Sequence, residues 1–206
     1  MGRTPRGVAA LLGLTLLAGC GASSGFSAGG SYQMTGSVLD PPFEVNGAAL
    51  VDESSSPYSL VEDTDKNLTL VFFGYTHCPD ICGIVMSTLA SAVSRLSEDE
   101  RRDVDVVFVT TDPARDTPEV AADYATNFDK SFIGLSGDLP TIIDVALPLG
   151  IAVEQGDKLP SGGYEVTHST HVVAIDADDD GIAYWSQDVS SAQLAADIQH
   201  LLSEQA

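Results

Sequence analysis

Apolar residues follow two rhythms along this chain, and the exchange between them predicts the elements. In "NLTLVFFGY", residues 67–75, they run on without alternation. A continuous β-rich run of this length predicts a central strand buried on both faces. "VDVVFVT", 104–110, predicts a second such strand. Between the two, apolar side chains recur at Ile81, Ile84, Val85, Leu89, Ala92, Val93 and Leu96, the three-and-four interval of an amphipathic helix. "DPARDTPEV", 112–120, opens another helix, with Asp116 or Thr117 as cap and Pro118 in its first turn.

Shorter segments complete the pattern. "FIGLSG" predicts a short strand, and 139–148 a short helix. "IAVEQ" and "GYEVTH" predict a hairpin with its tip in "GDKLPSGG". "HVVAI" and "GIAYW" predict adjacent strands around "DADDDG", and 190–204 a last helix. Ahead of all these, residues 38–66 are broken by Pro41-Pro42, Asn46-Gly47 and Ser54 to Pro57, which predicts short strands near 43–51 and 58–61. The order β-α-β-α-β-α-β-β-α makes this an α/β protein with a sheet covered by helices, and neither an internal repeat nor a second core is visible.

The first residues read as targeting rather than fold. Arg3 and Arg6 precede the apolar run "VAALLGLTLLA", which is short for a membrane span, and "LAGC" follows. A cysteine directly after Ala-Gly resembles a bacterial-type lipobox, which implies cleavage before Cys20 and lipidation of its sulfur. Residues 21–37 are rich in glycine and serine, as in a flexible tether. The expected organisation is a lipoprotein signal peptide at 1–19, the lipidated Cys20 and tether at 20–38, and a folded domain at 39–206. The domain would then face outside the cytoplasm on a lipid anchor in the cell membrane.

Charge excludes one class of partner. The chain has 9 basic against 30 acidic residues; without Arg3 and Arg6 the balance is 7 against 30, or −23. Little is left to neutralise phosphates, so nucleic acid is not a partner. The acidic surface keeps the protein soluble and fits a salt-rich habitat, but it names no activity.

The chemistry concentrates in "GYTHCPDIC", 74–82. Once Cys20 is set aside, Cys78 and Cys82 are the remaining cysteines, in a compartment where oxidising conditions are common. Cys78 falls between a buried strand and a helix N-terminus, where backbone N–H groups and the helix dipole favour a thiolate. Cys82 falls in the first helical turn, four residues on, so both sulfurs can share a face. Soft thiolates select Cu(I), zinc or iron–sulfur centres, and two sulfurs leave a metal short of ligands. The candidates for a third are histidines. His200 lies in the polar C-terminal helix and is expected in solvent. His77 adjoins Cys78 and is expected to point away from the sulfurs. His168 and His171 both flank the entry to the strand "HVVAI", and spacing alone does not choose between them.

Three motifs in this order, "FFGYTHCPDIC", "TTDPARDTPE" and "YEVTHST", resemble the Sco/SenC family of copper chaperones. The likeness covers about residues 40 to 204. It implies a thioredoxin-like fold, a central mixed sheet flanked by helices with an extra N-terminal hairpin. It implies that Cys78, Cys82 and His168 hold one copper, as Cu(I) or Cu(II). It also implies delivery to the binuclear copper site of cytochrome c oxidase subunit II or another exoplasmic cuproprotein, with a thioredoxin-like protein as reductant. The chain departs from the family pattern twice: Gly83 stands where proline commonly follows the second cysteine, and Thr167 where aspartate often precedes the histidine.

Three functions compete. A metal carrier needs a nitrogen donor beside the thiols, and His168 supplies the family position. A thiol–disulfide oxidoreductase, reducing the cysteines of that subunit before metallation, needs the thiols alone. A peroxidase needs Thr-x-x-Cys, but Thr76 stands only two before Cys78. Asp112, Arg115 and Asp116 read as a capped turn holding a loop near the cysteines, with docking of a partner as the alternative. Asp80 reads as a helix-start acid. "DADDDG" matches the opening of a calcium loop, yet Gln187 holds the twelfth position, and a hairpin turn is the better reading.

Overall fold

The computed structural model describes Met1, Gly2 and residues 32–205 except 159–163; residues 155–158 and 164–168 are described by backbone alone. Cys20 and the tether up to residue 31 lie outside the described residues. The elements are β1 (Ser37–Glu44), β2 (Leu50–Val51), β3 (Pro57–Tyr58), β4 (Leu68–Gly74), α1 (Cys82–Val93), α2 (Glu98–Arg102), β5 (Val104–Thr110), α3 (Pro118–Thr126), β6 (Ile133–Leu135), α4 (Leu139–Ala146), β7 (Val153–Lys158), β8 (Tyr164–His168), β9 (Val172–Asp176), β10 (Asp180–Trp185) and α5 (Ser191–Glu204). Six strands form one mixed sheet in the order β1-β10-β9-β4-β5-β6. β4 runs parallel to β5 and antiparallel to β9.

The unbroken apolar runs are central strands because each carries two sets of core residues. Leu68, Leu70 and Phe72 of β4 face α1, α3 and α5 together with Val104, Val106 and Phe108 of β5. Val71, Phe73, Val107 and Val109 face the other way, onto α4 and Leu50 of β2. Each fully buried Val, Leu or Phe contributes about 1.5–3 kcal/mol. Gly134 in β6 lets α3 lie close, since a Cβ there would sit 2.2 Å from the Ala121 carbonyl oxygen.

The N-terminal hairpin is present but smaller and differently placed than the sequence suggests. β2 and β3 pair over two residues each. The strand expected at 43–51 is split by the Asn46-Gly47 turn, and its first part belongs to β1, an edge strand on β10. The strand expected at 58–61 ends at Tyr58, because the Ser59 hydroxyl accepts from Val61 N and starts a turn. The end of the expected tether is also ordered. The buried Asp197 of α5 takes hydrogen bonds from Tyr32 Oη (2.6 Å), Thr35 N (3.0 Å), Gly36 N (2.9 Å) and Trp185 Nε1 (2.7 Å). β7 and β8 pair antiparallel, as the hairpin reading expected. α2 is an addition, opened by a capping box of Ser97 and Glu100. "DADDDG" is the β9–β10 turn, with Asp176 Oδ1 accepting from Asp178 N and Asp180 N at 3.0 Å each.

Candidate metal centre

The parallel pair β4–β5 ends where the chemistry begins. Thr111 N donates to the Gly74 carbonyl at 2.6 Å, tying the end of β4 to the chain leaving β5. The chain then turns, Cys78 N donating to Tyr75 O at 3.2 Å, and enters α1 at Cys82. Gly74 leaves room for the second sulfur: a Cβ there would lie 3.1 Å from Cys82 Sγ.

The two thiols sit in different surroundings. Cys82 is fully buried in the core with Val85, Met86 and Leu89. Cys78 is half-buried at the loop, and its sulfur accepts from Cys82 N at 3.5 Å. No side chain caps α1, whose N-cap position is Ile81, so the Cys78 sulfur occupies the place of a capping oxygen. Burial alone pushes the Cys78 thiol up. Hydrogen bonds from the Cys82 thiol and from the N–H groups of Cys82, Asp80 and Ile81 outweigh it, and the net result is a lowered value. Burial pushes Cys82 strongly the other way, and its hydrogen bond to Cys78 adds to the rise. The site therefore holds one sulfur biased to thiolate and one to thiol, both reduced.

Aromatic rings close the site on two sides. Burial raises Tyr75 to about 12, and the charge of and hydrogen bond to Cys78 push in the same direction. Burial likewise raises Tyr124, with Cys82, Cys78 and Asp116 as further negative neighbours. Arg115 stacks over Tyr75, 5.9 Å from the ring centroid, and pairs with the buried Asp112.

The "DPARDTP" turn holds the cysteine loop, as expected, and of the two cap candidates Thr117 is the cap while Asp116 makes the hold. Thr117 caps α3, accepting from Val120 N. Asp116 instead turns inward and is fully buried. Its carboxylate accepts from Thr76 N (2.9 Å), Thr76 Oγ1 (2.6 Å) and Thr110 Oγ1 (2.7 Å). Sequence reading missed Thr76 and Thr110 as parts of the site. Thr110 ends β5 and Thr76 lies two residues beyond β4, and that position at the end of a buried strand was the available signal.

The histidines separate. His171 belongs to the opposite face of the sheet, its ring 5.2 Å from that of Tyr184 and hydrogen-bonded to the Leu149 backbone. Burial lowers its pKa, and the Leu149 bond only partly offsets this. His200, expected in solvent, is 25% exposed and packs its ring 4.5 Å from Tyr32. His77 turns toward Thr76 and Asp116. The side chain of His168 lies outside the described residues. Its backbone ends β8, opposite Val153, and four residues later Val172 pairs with Phe72 of β4. The chain from His168 thus enters the sheet at the edge from which the cysteine loop leaves. Among the described residues no cluster of three His, Cys, Asp or Glu side chains surrounds a metal position, and no helix is long and apolar enough to cross a membrane.

A cysteine pair on a strand-loop-helix corner of a mixed sheet places the protein among the thioredoxin-fold proteins. The SCO1/SenC family model matches residues 48–203, and the chain belongs to that family. It is 37% identical over 122 residues to the mitochondrial protein SCO1 homolog 1 of Arabidopsis thaliana, 55% of this chain. Of two curated relatives the chain spans 62% and 36% of the length, the latter being the Arabidopsis protein. The solution structure of apo Sco1 from Thermus thermophilus matches 84% of this chain and 99% of its own at 30% identity, TM-score 0.75. The crystal structure of Arabidopsis thaliana ScoI with copper bound matches 78% and 98% at 25% identity, TM-score 0.70.

Proposed function

We propose that this protein is a copper carrier that holds one copper through Cys78, Cys82 and His168. It passes the metal to the binuclear copper site of cytochrome c oxidase subunit II. The observation that carries the reading is the split thiol pair at the start of α1. A soft ion such as Cu(I) finds one sulfur whose thiolate form is favoured by hydrogen bonds, with the second sulfur hydrogen-bonded to it. The copper-bound Arabidopsis relative supports the choice of cargo. The backbone course from His168 toward Val172 supports a nitrogen donor arriving at the same edge.

The test is a titration of the reduced protein with Cu(I), followed by mixing with a soluble copper-free subunit II domain. One copper per chain and its transfer are expected in the wild type, and neither in Cys78→Ser. Uptake of zinc in preference to copper, or retention of copper in the presence of subunit II, is incompatible with the carrier reading.

The same asymmetry supports a second reading, thiol–disulfide exchange, because a low-pKa thiol beside a buried one is how reductases attack and resolve. Reduction of an oxidised subunit II by the metal-free protein, with a thioredoxin-like protein restoring the dithiol, tests it. We further propose that residues 39–206 work outside the cytoplasm, tethered through a lipid on Cys20. Cys20→Ser should release the domain from membranes or block its processing.

A further inference from the structure

The hydrogen bonds around Thr76 have a fixed polarity. Asp116 is fully buried and accepts from three donors. The hydroxyl of Thr76 owns a single hydrogen, and the 2.6 Å contact carries it to Asp116 Oδ1. That hydroxyl also lies 3.0 Å from His77 Nδ1, and with its hydrogen already committed it can only accept there. His77 therefore carries its proton on Nδ1, which also lies 3.6 Å from Asp116 Oδ1. In the neutral ring this leaves a bare lone pair on Nε2. The side chain is 60% exposed. Here the imidazole is oriented through Nδ1 by a threonine hydroxyl that a buried carboxylate holds in turn, and fixing one ring nitrogen in this way is what prepares the other to bind metal. Nothing in the fold calls for it here, since an exposed histidine does not need a fixed tautomer.

We propose that His77 is a transfer ligand: its Nε2 takes hold of the cargo ion at the mouth of the site as the ion enters or leaves. The proposal rests on the carrier reading. His77 neighbours Cys78, the more exposed of the two sulfurs. As an acceptor approaches, the bond from copper to one of the sulfurs breaks while a bond to His77 Nε2 forms. The oxidation state of the ion does not change. Thr76 and Asp116 are positioning residues that aim the ring. This also explains why a fully buried carboxylate reaches the backbone two residues before Cys78.

The experiment loads the reduced full-length protein with Cu(I) and follows release to a chromophoric chelator by stopped flow. Equilibrium affinity is measured in parallel. His77→Ala should slow release by about tenfold, the low end of what losing a group that acts on a metal site costs. It should leave stoichiometry at one copper and affinity within about twofold. Added imidazole should restore the rate in His77→Ala and change the wild type little. Thr76→Val should slow release less, with no rescue by imidazole. Release at the wild-type rate from His77→Ala overturns the proposal while leaving the carrier reading intact. A large loss of affinity in His77→Ala makes His77 a resident ligand and also overturns it. A wild type that takes up no copper overturns both readings together.

Discussion

Asp116 and Thr76 are forty residues apart in the chain, yet one carboxylate accepts both the amide and the hydroxyl hydrogen of the other residue. The contact joins the start of α3 to the loop that carries Cys78. Thr110 closes the triangle by donating to the same carboxylate from the end of β5. Three pieces of chain that must keep register for the thiols to stay together are fixed by one buried acid.

Replacing that acid should therefore destabilise the fold more than a surface acid would. In Asp116→Asn the new amide group brings donors to a position surrounded by donors, so at least one buried hydrogen loses its acceptor. A loss of about 2–4 kcal/mol in unfolding free energy is expected. Thr110→Val removes one donor and should cost about 1 kcal/mol. Urea denaturation of the reduced proteins measures both, and unchanged midpoints would show that the triangle does not hold the loop.

The two thiols should react at very different rates. Burial pushes Cys78 up but hydrogen bonds to its sulfur outweigh this and favour its thiolate, whereas Cys82 is raised and fully buried. Iodoacetamide should label Cys78 first, with Cys82 modified only after denaturation, as mass spectrometry of peptides from timed quenches can show. The pH dependence follows in sign. The raised Cys82 stays protonated in the fold while the unfolded thiol ionises, so stability falls as pH climbs past the ordinary thiol range. The lowered Cys78 contributes stability above the ordinary range that is lost as pH falls through its folded value. Equal labelling of both cysteines in the native protein would remove the basis for this asymmetry.

Asp197, a second buried acid, makes a parallel prediction. Burial pushes its carboxyl up, but bonds from Tyr32, Trp185, Gly36 and Thr35 outweigh this and lower it. The stability it contributes is present above the ordinary carboxylate range and is lost as pH falls through the depressed folded value. Asp197→Asn should cost about 2–3 kcal/mol and should flatten the acid limb of the stability curve. It should also expose residues 32–36 to hydrogen exchange with little effect on α1. Protection lost equally in α1 would mean that this clamp is not local.

Much of this arrangement was legible in the sequence because it is local. The runs in β4 and β5 show no alternation because both faces are covered, and the helical interval after Cys82 is that of α1. Cys78 and Cys82 could be placed because a strand-loop-helix corner fixes its own geometry. Local rules left Asp116 and Thr117 as alternative caps and placed Asp116 in a turn near the cysteines, but could not name its partners Thr76 and Thr110, which lie on other segments. β1 escaped because edge pairing with β10 joins residues more than a hundred apart. α2 carried a readable capping box, Ser97 to Glu100, hidden by the absence of any apolar face in "EDERR". Spacing did not separate His171 from His168; the family resemblance named His168, and the contacts of His171 with Tyr184 and the Leu149 backbone set it on the other face.

Gly83 offers a test of the departure from the family's usual proline. It lies in the first turn of α1, and a Cβ added there meets nothing within 4 Å. Gly83→Ala should stabilise the protein by about 0.5–1 kcal/mol, since alanine loses less backbone freedom in a helix. Gly83→Pro should be tolerated as well, because the first helical turn does not use that amide in an intrahelical bond. Thermal melts of the reduced proteins check both. A destabilised Gly83→Ala would show that the open space is filled by something other than solvent.

The last prediction separates the two histidines that sequence spacing could not. Two thiolates hold Cu(I) linearly without help, whereas Cu(II) calls for nitrogen donors and more ligands. If His168 supplies that nitrogen, His168→Ala should lose or strongly shift the Cu(II)–thiolate charge-transfer absorption while keeping part of the Cu(I) affinity. Its fold and disulfide chemistry should survive, because the residue ends an outlying two-stranded hairpin rather than a central strand. His171→Ala should leave the absorption nearly intact, since its ring packs against Tyr184 and bonds to Leu149 on the face away from the cysteines. It should instead lower stability by about 1–2 kcal/mol, the cost of a lost buried hydrogen bond and ring contact. An absorption band that depends on His171 and not on His168 would move the ligand. A band indifferent to both would leave the thiol pair as a redox centre alone, and the reductase reading would take the carrier's place.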